Sequence, residues 1–132
     1  DVVLSYMNYM CETAAEKTAE LIANMKLSKS SFTDFFDDGT PLKVSVKKSA
    51  NKLYIDFKGT GPVNSQTMNA NKSIVKSAVL YVMRCLLKEE IPLNEGVLKN
   101  IEISIPESLL NPPDIKPRAA VSAGNVEVSQ KI

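Results

Sequence analysis

Apolar positions near the start of the chain recur at helical spacing. Leu4, Met7, Cys11, Ala14, Thr18, Leu21 and Met25 lie three or four apart, on one stripe, while Glu12, Glu16, Lys17 and Glu20 occupy the other side. The pattern predicts an amphipathic helix over roughly residues 2–25. The period then drops to two. Leu42, Val44 and Val46 alternate with Lys43, Ser45 and Lys47, and Leu53, Ile55 and Phe57 alternate with Tyr54, Asp56 and Lys58. These are two half-buried strands joined by a short hairpin at Ser49, Ala50 and Asn51. Asp37-Asp38-Gly39 is a second turn signal, which makes Phe32 to Phe36 a third, antiparallel strand.

Helical spacing returns after a polar loop. Asn69 or Asn71 caps a second helix over roughly residues 72–88, apolar around most of its circumference, with Lys72, Lys76, Arg84 and Lys88 on one flank. Such a helix is expected at the centre of the core, covered on several sides. Asn94-Glu95-Gly96 reads as a turn, and Ile101, Ile103 and Ile105 alternate through a fourth strand. The proline-rich run "PESLLNPPDIKPR" is expected to cross the surface. The order α-β-β-β-α-β predicts an α+β domain: an antiparallel sheet of about four strands with two main helices packed on it. No internal repeat or low-complexity tract interrupts it, so residues 1–132 read as a single domain.

Composition narrows the function classes. Hydrophobic residues make up 44% and charged residues 23%, the balance of a folded chain. The net charge of +1 and an aromatic content of 6% argue against a nucleic-acid or membrane surface. The longest apolar run, within residues 78–83, is far below the roughly 20 residues that span a bilayer. No charged stretch followed by an apolar run and a small-residue cleavage site is present, so a secretory signal is not expected. Cys11 and Cys85 both sit in apolar helical patterns and read as buried free thiols, in keeping with a reducing, cytoplasmic setting. There is no histidine, so a Ser-His or Cys-His nucleophile or a histidine metal site cannot be completed within the chain.

Four stretches carry candidate chemistry. "DFKGTGP" leaves a strand through Gly59 and Gly61; it is either an anion cradle built with the Thr60 hydroxyl or a strand exit needing positive φ at one glycine. It lacks the Gly-Lys-Ser/Thr of a phosphate-binding loop. Arg84 falls among apolar neighbours in "VMRCLL", where a half-buried guanidinium needs a partner. Asp34, Asp37 and Asp38 lack the ligand spacing of an EF-hand and read as a turn. In "AGNVEVSQ", Gly124 permits a sharp bend and Asn125 has the chemistry of a helix N-cap, which leaves donors free to hold an anion. The same stretch also reads as a loop entering the next helix of a longer protein.

Taken together, "DFKGTGP", "NANKSIVKSAVLYVMRCLLKEEIPLNEGVLKNIEISIPESLLNPP" and "AAVSAGNVEVSQKI" resemble the hydantoinase B/oxoprolinase family from about Phe32 to the end. The chain departs from that pattern at Met68-Asn69-Ala70-Asn71, where the family has an Ile-Asn-Ala-Pro-like step, and at Lys116 to Val121, where it has a tighter Pro-Ala-Ala-Val segment. The resemblance implies an excised piece of a parent several times longer, entered mid-helix at Asp1. It implies an ATP-dependent cyclic-amide hydrolase of hydantoinase or 5-oxoprolinase type, working with an ATP-binding A-type partner, a separate subunit or a fused half, that phosphorylates the cyclic amide or its enol form. ATP and a divalent metal are expected in the parent complex, with no cofactor in this stretch and the family's histidine-containing metal region upstream of Asp1. The implied substrate contacts are Thr60, Asn69, Asn125 and Gln130, with Glu127 as base or water-orienting group and Gly59, Gly61, Gly124 and Arg84 as structural positions. Partners are the rest of the parent chain, the A-type subunit and a small cyclic amide, with homo-oligomerisation left open. The competing reading is a non-catalytic assembly module of that enzyme, or of a related acetone-carboxylase-type enzyme.

Overall fold

Alternation along β2 (Pro41–Ser49) and β3 (Lys52–Asp56) aligns their apolar positions: Val46 pairs with Ile55, and Ser49 with Lys52 across a two-residue turn. Ala50 holds φ +52° in that turn, a left-handed conformation that glycine would enter without steric cost. β1 (Lys29–Phe35) flanks β2 antiparallel, setting Phe32 against Val44. The computed structural model describes residues 1–89, 91–92, 94–113 and 121–132. Within these residues the other elements are α1 (Val2–Asn24), α2 (Lys72–Leu86), a 3₁₀ turn (Glu95–Leu98), β4 (Ile101–Ser104) and α3 (Gly124–Lys131).

The α+β class and the element order agree with expectation, but the sheet is mixed. Its order is β1-β2-β3-β4, and β4 runs parallel to β3, pairing Leu53 with Ile101 and Ile55 with Ile103. The chain leaves β3, crosses one sheet face through α2 and returns beside β3. A connection of that kind brings the next strand in parallel. All the cover lies on one face, where Leu42, Leu53, Ile55, Phe57 and Ile101 are buried, while Lys43, Lys47 and Glu102 of the opposite face are exposed. Full burial of a side chain the size of Phe57 or Leu42 contributes about 1.5–3 kcal/mol.

Asn71, not Asn69, caps α2: its side chain accepts from the Ile74 N–H at 3.1 Å. The expectation that α2 is covered on several sides does not hold. Only Val75, Val79 and Met83 are buried, whereas Tyr81 is 68% exposed, Val82 45% and Leu86 47%. One sheet face offers a helix one line of contact, so the second apolar line is left in water. Cys85 lies on it and is exposed rather than buried; Cys11 is half-buried, and both thiols are free. Arg84, expected as a half-buried guanidinium, is exposed, as are Lys72, Lys76 and Lys88.

The predicted stripe of α1 is buried only in its second half, at Ala14, Thr18 and Ile22; residues 1–9 are all exposed, Leu4 and Met7 among them. Contact starts where the 3₁₀ turn meets the helix. Gly96 lies so close to the Cys11 carbonyl that a Cβ would overlap it. Asn94 Nδ2 donates to the Met10 carbonyl at 3.3 Å and Asn100 Nδ2 to that of Ala15 at 3.0 Å. At the far end the Lys48 ammonium donates to the Ala23 and Met25 carbonyls at 2.6 and 2.7 Å, satisfying orphan groups of the last turn. Among the described residues no helix is long and apolar enough to cross a membrane.

The proline-rich run also departs from expectation. Ser108, Leu109 and Leu110 are buried. Local side-chain bonds replace the donors that proline lacks: Ser108 Oγ donates to the Pro106 carbonyl and accepts from the Leu110 N–H, and Asn111 Nδ2 donates to the Ile105 carbonyl. The segment curls and turns both leucines inward. The second part of the run, residues 114–120, lies outside the described residues.

Candidate functional site

Three of the stretches singled out from the sequence meet around Leu109. Gly59 has φ +91°, the strand-exit conformation. The N–H groups of Thr60 and Gly61 donate to the Phe57 and Pro41 carbonyls at 3.2 and 2.7 Å, so the loop turns them inward and forms no anion cradle. The Thr60 hydroxyl is equally engaged, donating to the Lys43 carbonyl and accepting from the Lys43 N–H, each at 3.1 Å. From there the Leu109 N–H donates to the Gly61 carbonyl at 3.1 Å, and the Ala70 N–H to the Leu109 carbonyl at 2.7 Å. Buried Leu109 thereby pins "GTG" to "MNAN".

Asn69 organises the next loop. It is wholly buried, its Oδ1 accepts from the Asn64 N–H at 2.7 Å, and its Nδ2 donates to the Asn64 carbonyl at 2.9 Å. Residues 64–69 close around it, presenting Asn64, Ser65 and Gln66 outward. α3 docks on this loop: the Gly124 N–H donates to the Thr67 carbonyl at 2.8 Å, and Gly124 is buried against the Asn69 backbone, where a Cβ would overlap the Asn69 carbonyl.

Asn125 is not the N-cap. Ala123 occupies that position without a side-chain bond, and Asn125 lies inside the first turn. Its Oδ1 is enclosed and has no hydrogen-bond partner among the described residues. Glu127, two residues on, faces a different direction. It is exposed and sits in the first turn, where the helix dipole favours a carboxylate. Gln130 is exposed one turn later, and buried Val128 anchors the helix.

Glu127 opens on a cleft of about 400 Å³. The turn Phe36 to Thr40 forms one wall and Asn64, Ser65, Gln66 and Met68 the other, with Leu109 between them. Thr60, Asn69, Asn125 and Gln130 do not line it. The volume suits a small ligand, and the lining residues are mostly polar, with Phe36, Met68 and Leu109 as the apolar members. Gly39 at φ +82° shapes the acidic turn, and hydrogen bonds from Thr40 hold the Asp38 carboxyl below the usual carboxylate range. Asp37 and Asp38 form the expected turn, while Asp34 lies in β1, paired with Leu42. Among the described residues no three Asp, Glu or Cys side chains converge as a metal site.

Sequence reasoning missed the far end of α3. Lys131 Nζ bonds to Asp34 Oδ2 at 2.9 Å, donates to the Phe35 carbonyl at 3.1 Å and lies 5.5 Å from the centre of the Phe36 ring. A lysine in a last helical turn was a readable signal, but its partner is distant in sequence. The bond from Lys131, reinforced by that from the Phe35 N–H, lowers the Asp34 pKa, and Asp34 raises that of Lys131. A depressed carboxylate contributes stability that is present above its unfolded pKa and lost as pH falls through the folded one. Anchoring of α3 is thus expected to weaken on acidification below the normal carboxylate range. Hydrogen exchange of the Val128 to Ile132 amides, followed against pH, checks this. Asp34→Asn should remove the dependence and leave those amides poorly protected at neutral pH.

The whole chain has known relatives. The family model for hydantoinase B/oxoprolinase matches residues 1–132. The 5-oxoprolinase of Saccharomyces cerevisiae is 38% identical over 98% of this chain and 10% of its own length. The 5-oxoprolinase 1 of Arabidopsis thaliana is 34% identical over 98% of this chain and 11% of its own. The chain thus spans about a tenth of these relatives. Its fold is shared with the crystal structure of an ATP-dependent caprolactamase from Pseudomonas jessenii, at a TM-score of 0.75 and 15% identity over 90% of this chain and 21% of that one.

Proposed function

The chain belongs to the hydantoinase B/oxoprolinase family, and from that premise we propose that it forms one wall of the substrate cleft in an ATP-dependent enzyme that hydrolyses a cyclic amide. The observation that carries this reading is the cleft itself: Glu127 opposite the acidic turn, beside the loop that Asn69 closes. Support comes from the names of the relatives, two 5-oxoprolinases and a caprolactamase, all of which act on ring amides by those names.

Amide hydrolysis needs an activated carbonyl, a positioned water and a group to accept the water's proton. ATP, brought by an A-type partner, supplies the activation by phosphorylating the ring. Glu127 orients and deprotonates the water from its solvent-facing position. The Asn64 and Gln66 amides hold the ring's N–H and carbonyl edges, while Met68 and Leu109 cover its methylene side. On the other side of α3 the Asn125 Oδ1, without a partner among the described residues, is an acceptor for a ligand or backbone N–H. With no histidine and no convergent acidic set among the described residues, this chain's residues do not fit the divalent metal expected in the parent.

The test is to purify the parent enzyme with its A-type partner and follow ATP consumption and ring opening together. 5-oxoproline, a hydantoin and a ketone substrate for carboxylation form the panel. Coupled ring opening supports the reading; carboxylation, or ATP use without ring opening, refutes it. The apolar side chains exposed on α2 favour the second reading, an assembly module without chemistry.

A further inference from the structure

The uncovered apolar surface of the domain is continuous. A groove of about 240 Å³ runs between Leu27, Val44 and Val46 on the sheet side and Val82 and Leu86 of α2, and no charged side chain among the described residues lines it. Beyond Val44, on the edge strand, Phe32 is 67% exposed. Beyond Val82, on the next ridge of α2, Tyr81 is 68% exposed and Cys85 is exposed too. A patch that joins sheet, groove and helix in this way marks a contact surface rather than scattered surface residues.

We infer that this groove, with the Tyr81–Cys85 ridge, seats a further segment of the same longer polypeptide, one presenting branched aliphatic side chains inward and acidic groups toward the α2 flank. Two observations choose that occupant. Relatives that match 98% of this chain spend only 10% and 11% of their length on it, so most of their polypeptide lies elsewhere and is tethered nearby at high effective concentration. The second is charge. α2 carries Lys72, Lys76 and Arg84 and no acidic residue at all. A second copy docked across this surface by two-fold symmetry with the two α2 helices antiparallel would set that basic flank against its own equivalent. A separate segment with carboxylates on one side meets no such repulsion.

This inference rests on family membership and not on the proposed activity, and its test needs no turnover. Cys85 reports occupancy directly. The intact parent chain, without its A-type partner, is treated with a maleimide in its native and its unfolded state, and labelling of the peptide bearing Cys85 is followed by mass spectrometry. Native labelling about tenfold or more slower than unfolded labelling, unchanged when the protein is diluted to monomer, is the expected result. Labelling as fast as in the unfolded chain overturns the inference. Protection lost on dilution assigns the surface to a second copy, and protection seen only after the A-type subunit is added assigns it to that subunit. Either result overturns an occupant from the same chain.

Discussion

Glu127→Gln in the intact parent enzyme, assayed with its A-type partner, is expected to lower ATP-dependent ring opening about a hundredfold, or ~2.7 kcal/mol of transition-state stabilisation. The glutamine keeps the length and shape of the side chain and removes the charge that would accept a proton from water. The loss should therefore fall on kcat, with KM nearly unchanged, because the water is activated only in the transition state. A bland role for Glu127 makes a different forecast. A carboxylate in the first turn of a helix stabilises the helix dipole by about 0.3–1 kcal/mol. Its removal would then lower thermal stability slightly and leave kcat intact. Because Glu127 is exposed, the substitution leaves no buried polar group unsatisfied, and the two outcomes separate cleanly. Unchanged kcat would move the chemistry away from α3.

The fold was more legible in the sequence than the cleft, for reasons that individual residues make plain. Period-two alternation at Leu42 to Val46 and Leu53 to Phe57 encodes a face directly, and the paired register follows from it. Helical period tells which side of α1 is apolar but not how far along the helix that side finds a partner. Contact begins at Gly96 against the Cys11 carbonyl, a meeting of backbones with no signature in local pattern. The parallel pairing of β4 depends on where α2 crosses, which no single segment records. Burial of Leu109 and Leu110 was hidden by their prolines, since the compensating bonds from Ser108 and Asn111 become visible only once the segment has curled.

In the candidate site, helical phase was the missing quantity. "AGNVEVSQ" displays its polar residues together when written out, yet the helix sends Glu127 into the cleft and turns the Asn125 amide oxygen into an enclosed space with no donor among the described residues. Thr60 and Asn69 carry the polarity of ligand contacts, but the hydrogen bonds described for them hold the backbone: Thr60 bridges both polar groups of Lys43, and Asn69 closes the 64–69 loop. Their influence on the cleft passes through the loops they shape. The ion pair of α3, from Lys131 to Asp34, joins distant parts of the chain and could not be read from either neighbourhood.

That dependence of the cleft on backbone docking predicts a larger structural effect at Gly124 than at any polar residue of the site. Gly124→Ala places a methyl group where the Asn69 carbonyl and the Met68 carbonyl carbon already lie. Both obstacles are backbone, held by the Leu109 and Thr67 bonds, so neither can rotate aside. The expected cost is roughly 3 kcal/mol, the upper part of the range for overpacking a close-packed contact. Gly61→Ala is the instructive contrast: its methyl would meet mainly the Thr40 methyl group, a side-chain rather than a backbone obstacle, so a smaller loss of about 1–2 kcal/mol is expected. Gly39→Ala meets nothing within 4 Å and loses only the freedom of its φ of +82°, about 1–2 kcal/mol. Denaturant unfolding of the three variants orders them. The accompanying functional readout is KM, since shifting α3 off the Asn69 loop widens the cleft that holds the ring before it alters the Glu127 carboxylate. A Gly124→Ala protein as stable as the parent, with KM unchanged, would mean that α3 does not rest on that loop, and the wall ascribed to it would have to be drawn from elsewhere in the longer chain.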